Sequence, residues 1–206
     1  MEPGHTPPMN PNDLTGKARI RNTALDLYAA HGEDGTSMRA IAKAAGVTVG
    51  LLVHHFGTKD GIRDAVDDLV VDYFAQAIAQ VPHQGTPQAI AVARDAAVSE
   101  MLATHPEVVN YMRRALLEPG GHRSPLLEKL TTLTHHEIAA LRDAGVASKG
   151  RQESSQVIEL MVRQVGQLFL QPMVDAMWEH FNGPDAEDKD KPVLAVGIRE
   201  GDRHRS

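Results

Sequence analysis

The chain contains no cysteine. That excludes a disulfide framework and any thiolate metal site, and it fits a reducing compartment. Aromatic residues are scarce, 4% against 42% hydrophobic overall, so alanine and leucine must do most of the packing. Such side chains suit close-packed helices better than β-branched, aromatic-rich sheets. No apolar run approaches the roughly 20 residues needed to span a bilayer. The opening stretch, Met1 to Pro8, has neither the basic start nor the apolar core of a secretion signal. No alternating run is long enough for a sheet, and no internal repeat is visible. The expectation is an all-α, cytoplasmic protein with no membrane contact.

Catalytic signatures are missing as well. There is no His-Glu-x-x-His, no Gly-x-Ser-x-Gly and no Gly-x-Gly-x-x-Gly. The only Glu-x-x-His runs from Glu2 to His5, so a di-metal helical bundle lacks its ligands. His54-His55 and His135-His136-Glu137 offer adjacent helical residues, which point about 100° apart and share a ligand site poorly. No metal, cofactor or catalytic residue is therefore assigned, and an all-α enzyme is the weakest functional class.

What is present is an uneven charge. The net value of −6 argues at first against a nucleic-acid partner, but it is not spread evenly. Residues 1–63 hold seven Lys/Arg and six Asp/Glu, whereas residues 64–206 hold fourteen and twenty-one. A near-neutral front and an acidic back suit a protein that touches DNA at one end.

The helical pattern begins near Thr15, a candidate N-cap, and runs with Ile20, Ala24, Leu27 and Tyr28 to a stop at Gly32. Residues 1–12, rich in Pro and Asn, are expected to be disordered. Thr36 is the expected cap of a short helix facing inward with Met38, Ile41, Ala42 and Ala45. Gly46 breaks that helix because glycine alone enters the left-handed region without steric cost. Thr48 caps a third short helix with Leu52 and Phe56 inward, and Thr58 a fourth reaching about Val81. Further helices are expected at 87–104, 106–118, 124–144 and 152–181, with Pro172 kinking the last or splitting off its final turns. Residues 183–206 form a charged tail, with an apolar stretch at 192–198 that could dock as an extended segment.

Residues 36–62 carry the function-bearing pattern. Two helices of about eight residues joined at Gly46 make a helix-turn-helix. A helix of that size, about 12 Å long, fits a major groove roughly 12 Å wide. Successive threonine caps leave helix N-termini whose free N–H groups suit phosphates. An ordinary helical packing unit would show the same periodicity.

The segment from Ile20 to Phe74 resembles the DNA-binding domain of the TetR (tetracycline repressor) family. The matching residues are Ile20-x3-Ala24-x2-Leu27, Gly32, Thr36, Ile41-Ala42, Ala45-Gly46-Val47-Thr48, Gly50, Leu52, His55-Phe56 and Lys59. They cover about a quarter of the chain, and the layout of eight or nine helices agrees. One departure is Val53, where the family usually has a tyrosine whose hydroxyl reaches the DNA backbone. The resemblance implies a bacterial regulator with a three-helix DNA-binding domain at 13–73 and a ligand-binding and dimerisation domain at 74–182. The implied DNA contacts are Thr36, Arg39, Thr48, Val49, Gly50, Leu51, Val53, His54, His55 and Lys59. Val49, Gly50, Leu51, Val53, His54 and His55 are expected to point outward. Lys43, Lys17, Arg19 and Arg21 are further candidates for the phosphates.

The same resemblance implies a homodimer on a palindromic operator, built from the last two helices. Their apolar faces include Leu126, Leu130, Leu133, Ile138 and Leu141, then Val157, Leu160, Met161, Val165, Leu168 and Phe169. Met101, Tyr111, Met112, Met161, Gln164 and Phe169 are candidate lining for a small-molecule effector, although methionines at helical spacing also make plain core. The expected function is a repressor of double-stranded DNA released by that effector. The alternatives are an activator or architectural DNA-binding protein without a ligand.

Overall fold

A computed structural model describes residues 11–81, 85–117, 124–183 and 190–198. Among these are eight α-helices and no strand: α1 Pro11–His31, α2 Met38–Ala44, α3 Val49–Phe56, α4 Lys59–Ala79, α5 Pro87–Thr104, α6 Pro106–Leu117, α7 Pro125–Asp143 and α8 Glu153–Asn182. The fold class is all-α. Residues 1–10 of the expected disordered tail lie outside the described residues.

Local chemistry sets most boundaries. Three helices open on proline (α5, α6 and α7), which suits a first turn whose N–H has no intrahelical partner. α1 does so too, beginning at Pro11; Thr15, the expected N-cap, therefore lies inside it. The Ser37 hydroxyl accepts from the N–H of Ala40, so Ser37, not Thr36, caps α2. Thr36 is instead buried, its hydroxyl donating to the carbonyl of Gly32 at 2.8 Å. Thr48 and Thr58 cap α3 and α4 as the sequence predicts. Gly46 has φ +65°, and Val47 N donates back to Ala42 O at 2.9 Å, so the turn closes α2 tightly.

Contacts gather the described residues into two compact units, those within 1–83 and 90–129, and those within 84–89 and 130–206. In the first, Ile20, Ala24, Tyr28, Ile41, Ala42, Leu52, Ile62, Val66 and Val70 are sealed from solvent. Each large apolar side chain buried there contributes roughly 1.5–3 kcal/mol. α1 packs along α6 and α4. Arg114 of α6 locks that contact: its Nε and Nη2 donate to the carbonyls of Ala29 and Ala30, both at 3.0 Å. A cation on the last carbonyls of α1 also complements the helix dipole.

In the second unit α8 runs unbroken through Pro172, so the expected split does not occur. Gln156 Nε2 donates to Ser148 O at 2.7 Å, and Arg142 Nη1 donates to the carbonyls of Ser148 and Arg151. These bonds tie the α7–α8 connection to both helices. Residues 191–198 lack regular structure and lie against α8. Lys191 pairs with Asp175 at 3.0 Å, Leu194 N donates to Gln171 Oε1, and Val196 fills the notch left by Gly166. A Cβ at residue 166 would stand 2.8 Å from the Val196 side chain, which explains a glycine in mid-helix.

Part of the apolar faces expected at a dimer seam is core of the chain, and the rest is half-buried. Leu126, Leu130, Ile138 and Val157 are buried within the chain itself. The open apolar stripe of α8 is Leu170, Met173, Met177 and Phe181, which share one face at spacings of three and four.

Candidate nucleic-acid interface

The helix-turn-helix is held from below by its own apolar residues. Ile41 and Ala42 of α2, Ala45 in the turn and Leu52 of α3 all face inward. The opposite faces are therefore open by geometry. α2 exposes Arg39, Ala40, Lys43 and Ala44, with Arg39 and Lys43 four residues apart on one side. α3 exposes Val49 at 40% and Val53 at 45%, along with Gly50 and His54, while Leu51 is half-buried. Thr48 is exposed, its hydroxyl already accepting from Leu51 N at 3.2 Å. Lys59 opens α4, half-buried at its first turn.

Two expected contacts sit differently from the reading above. Thr36 is buried and bonded, so it shapes the loop ahead of α2 rather than presenting a hydroxyl. His55 does not point outward: its Nε2 is covered and lies 3.8 Å from where a Gly16 Cβ would be, so the ring faces α1. It packs edge-on to Phe56 at 6.2 Å, and Lys17 lies over the Phe56 ring at 5.8 Å. An aromatic and cationic seam thus binds the end of α3 to α1.

The electrostatics of this face favour an anion. No Asp or Glu occurs between Asp34 and Asp60, whereas Arg39, Lys43 and Lys59 do. That gap in acidic residues was readable in the sequence and is a sharper signal than net charge. Two of the flanking acidic groups meet a cation away from this face: Glu33 and Asp60 each lie 3.4 Å from Arg63.

Beneath α4 lies a polar cluster that periodicity did not single out. Tyr111 of α6 donates to Asp67 Oδ1 at 2.6 Å, and both are buried. Burial pushes the Asp67 carboxyl up to about 6, against the lowering effects of the Tyr111 bond and of Lys129 and Arg63. Burial and the Asp67 charge push the Tyr111 phenol up as well, and Tyr28 stacks on it at 6.3 Å. Lys129 pairs with both Asp64 and Asp68 at 2.5 Å. A signal existed: Asp67 stands between Val66 and Leu69 on an otherwise apolar face.

Of the expected effector residues, Met101 lines an open hollow of about 300 Å³ with Tyr73, Gln76, Gln80, Glu100 and His105. The Tyr73 and His105 rings meet there at a tilt of 38°, centroids 4.4 Å apart, and His105 Nδ1 lies 2.9 Å from Glu107 Oε1. Tyr111 and Met112 are buried in the same unit. Met161, Gln164 and Phe169 are half-buried on α8, and Thr134 Oγ1 lies 3.1 Å from the Met161 sulfur. Among the described residues no group of three His, Cys, Asp or Glu could hold a metal, and no helix is long and apolar enough to cross a membrane.

Residues 20–66 match the family described as bacterial regulatory proteins, tetR family. The HTH-type transcriptional regulatory protein RaaS of Mycobacterium tuberculosis is 50% identical over 64 residues, 31% of this chain and 30% of that protein. The HTH-type transcriptional repressor KstR2 of Rhodococcus jostii is 29% identical over 167 residues, 77% of this chain and 79% of that one. A tetR family transcription regulator from Shewanella sp. PV-4 has the same fold, with a TM-score of 0.65 at 21% identity over 81% of this chain and 89% of that one. The chain thus spans about a third of RaaS but most of KstR2.

Proposed function

We propose that this chain, whose residues 20–66 match the tetR family of bacterial regulatory proteins, is a homodimeric transcriptional regulator that binds a palindromic operator. The observation that carries the reading is the open face of α2 and α3. It has no acidic residue, presents Arg39 and Lys43, is followed by Lys59 at the start of α4, and leaves one side of a groove-sized helix uncovered. Phosphates engage the cations and fix register, and α3 enters the major groove.

The dimer is proposed from the α8 stripe of Leu170, Met173, Met177 and Phe181, whose exposure is hard to reconcile with a monomer in water. A second copy would cover it, and the two α3 helices of such a dimer would address palindromic half-sites one turn of DNA apart, about 34–36 Å. Repression is the reading favoured by likeness to KstR2, which is named a repressor and is matched along 79% of its length. The hollow beside α4, with Met101 and Tyr73, is the proposed effector contact. Asp67–Tyr111 and Lys129 tie α4 to α6 and α7, so an effector that shifts α6 would also bias α4 by its differential affinity for the two states.

The test is selection of random DNA duplexes by the purified chain, followed by mobility-shift titration. A palindrome should emerge, bound by two copies, with affinity falling steeply as salt rises. Failure to enrich any duplex over random sequence at moderate salt would sink the regulator reading.

A further inference from the structure

Operator sequence must be read by the part of α3 that remains open once its core contacts are made. Leu52 is buried, His55 faces α1, and Phe56 is held in the seam with Lys17. What remains between Val49 and Phe56 is Val49, Gly50, the edge of Leu51, Val53 and His54. None of these is Arg, Lys, Asn or Gln, the side chains that grip guanine or adenine through two hydrogen bonds. Arg39, Lys43 and Lys59 lie on the neighbouring helices, and Lys17 of α1 is held over Phe56.

Resting on the regulator reading above, we infer that this chain reads its operator mainly through thymine methyl groups, with Val49 and Val53 as the specificity-determining contacts and His54 as the one open side chain of α3 able to hydrogen-bond a base. The two valines stand four residues apart on one helix face, with Cβ atoms about 5–6 Å from each other. Base pairs repeat every 3.4 Å or so along the duplex, so the two valines address methyls on adjacent or next-but-one pairs. Gly50 lies between them on the exposed first turn. A Cβ there would meet nothing closer than Thr48 Oγ1 at 3.9 Å, so its absence opens room for the helix backbone to come close to the groove floor. Two valines left 40% and 45% open on a well-packed head are matched by the one apolar feature of the major groove, the thymine C5-methyl. Cytosine and guanine offer no such group. The cations that flank the helix supply affinity without sequence preference.

The experiment starts from the operator selected by the full chain. Each thymine is replaced singly by uracil, which lacks the methyl but keeps every hydrogen-bonding group. Affinity is then measured for wild type, Val49→Ala, Val53→Ala and His54→Ala, with circular dichroism confirming that these exposed-site variants stay folded. For wild type, uracil should cost about four-fold at one or two positions per half-site, the worth of one buried methyl-sized group. In the variant lacking the matching valine that penalty should vanish, since the methyl no longer has a partner. His54→Ala should erase base preference at one position per half-site. If no operator emerges, the regulator reading itself fails. If an operator emerges but uracil is tolerated at every position, or its cost persists in both valine variants, the methyl readout is overturned and the regulator reading stands. An unchanged base preference in His54→Ala removes His54 from the readout.

Discussion

The helices α2 and α3 are seven and eight residues long, and α8 is thirty, yet the short ones are the better enclosed. Each short helix is capped by a hydroxyl at its start, stopped within a residue or two by a left-handed glycine, and pinned by a side chain such as Ile41 or Leu52 that solvent does not reach. α8 has no side-chain cap, carries a proline inside, and buries only Gln156 and Val157. Its Phe181 is 82% exposed. Isolated helices of eight residues are unstable in water, so the short pair exists because tertiary packing holds it. The long helix persists by length, with part of its apolar face left open. One region is finished within the chain; the other, on the proposed reading, is completed by a second copy.

The largest effect should come from spoiling the unfinished face. Met173→Glu with Met177→Glu puts charges where a second copy would bury them, at a cost of roughly 3–5 kcal/mol for an unpaired buried charge. Light scattering should report a monomer at micromolar concentration, and operator affinity should fall about a hundred-fold or more. A dimer that survives both changes would break the comparison at its root.

The finished region should respond to cavities instead. Leu52→Ala, at a sealed position, should lower stability by about 2–5 kcal/mol in urea unfolding. Leu170→Ala, on the open stripe, should change monomer stability by less than about 0.5 kcal/mol. Equal losses at the two sites would mean that the stripe is core after all.

Asp67 sharpens the contrast through pH. Its folded carboxyl titrates at about 6 against 3.8 for the unfolded group, so the folded state holds the proton more tightly. Stability from this group is full below about 3.8 and is lost as pH rises through about 6. Wild type should therefore lose on the order of 2–3 kcal/mol from this group between pH 4 and pH 7.5. Asp67→Asn should flatten that part of the profile in thermal denaturation, and an unaltered pH dependence would contradict it.

The smallest expected effect is on the caps. Ser37→Ala should cost about 1 kcal/mol through loss of the bond to Ala40 N. A comparable loss at Gln152, which makes no side-chain cap bond, is not expected when it is changed to alanine. Thermal melts of the two variants side by side decide the point.

Much of this molecule was legible from local chemistry. The starts of α5, α6 and α8 follow from Pro87, Pro106 and the break after Gly150, and those of α3 and α4 from Thr48 and Thr58. The family match over residues 20–66 agrees with the resemblance read over Ile20 to Phe74, which rests on particular residues rather than on periodicity. The sequence alone therefore determined which segments are helices and where the helix-turn-helix lies, because capping, proline geometry and left-handed glycine depend only on near neighbours. It did not determine which part of each apolar face would be covered. Leu126 and Val157 look no different from Leu170 by periodicity, yet the first two are buried and the last is open. His55 turned toward Gly16 of α1, Asp67 met Tyr111 forty-four residues away, and Val196 found the notch at Gly166. Those choices belong to tertiary structure, because they depend on which distant element arrives to exclude water, and no local pattern carries that information.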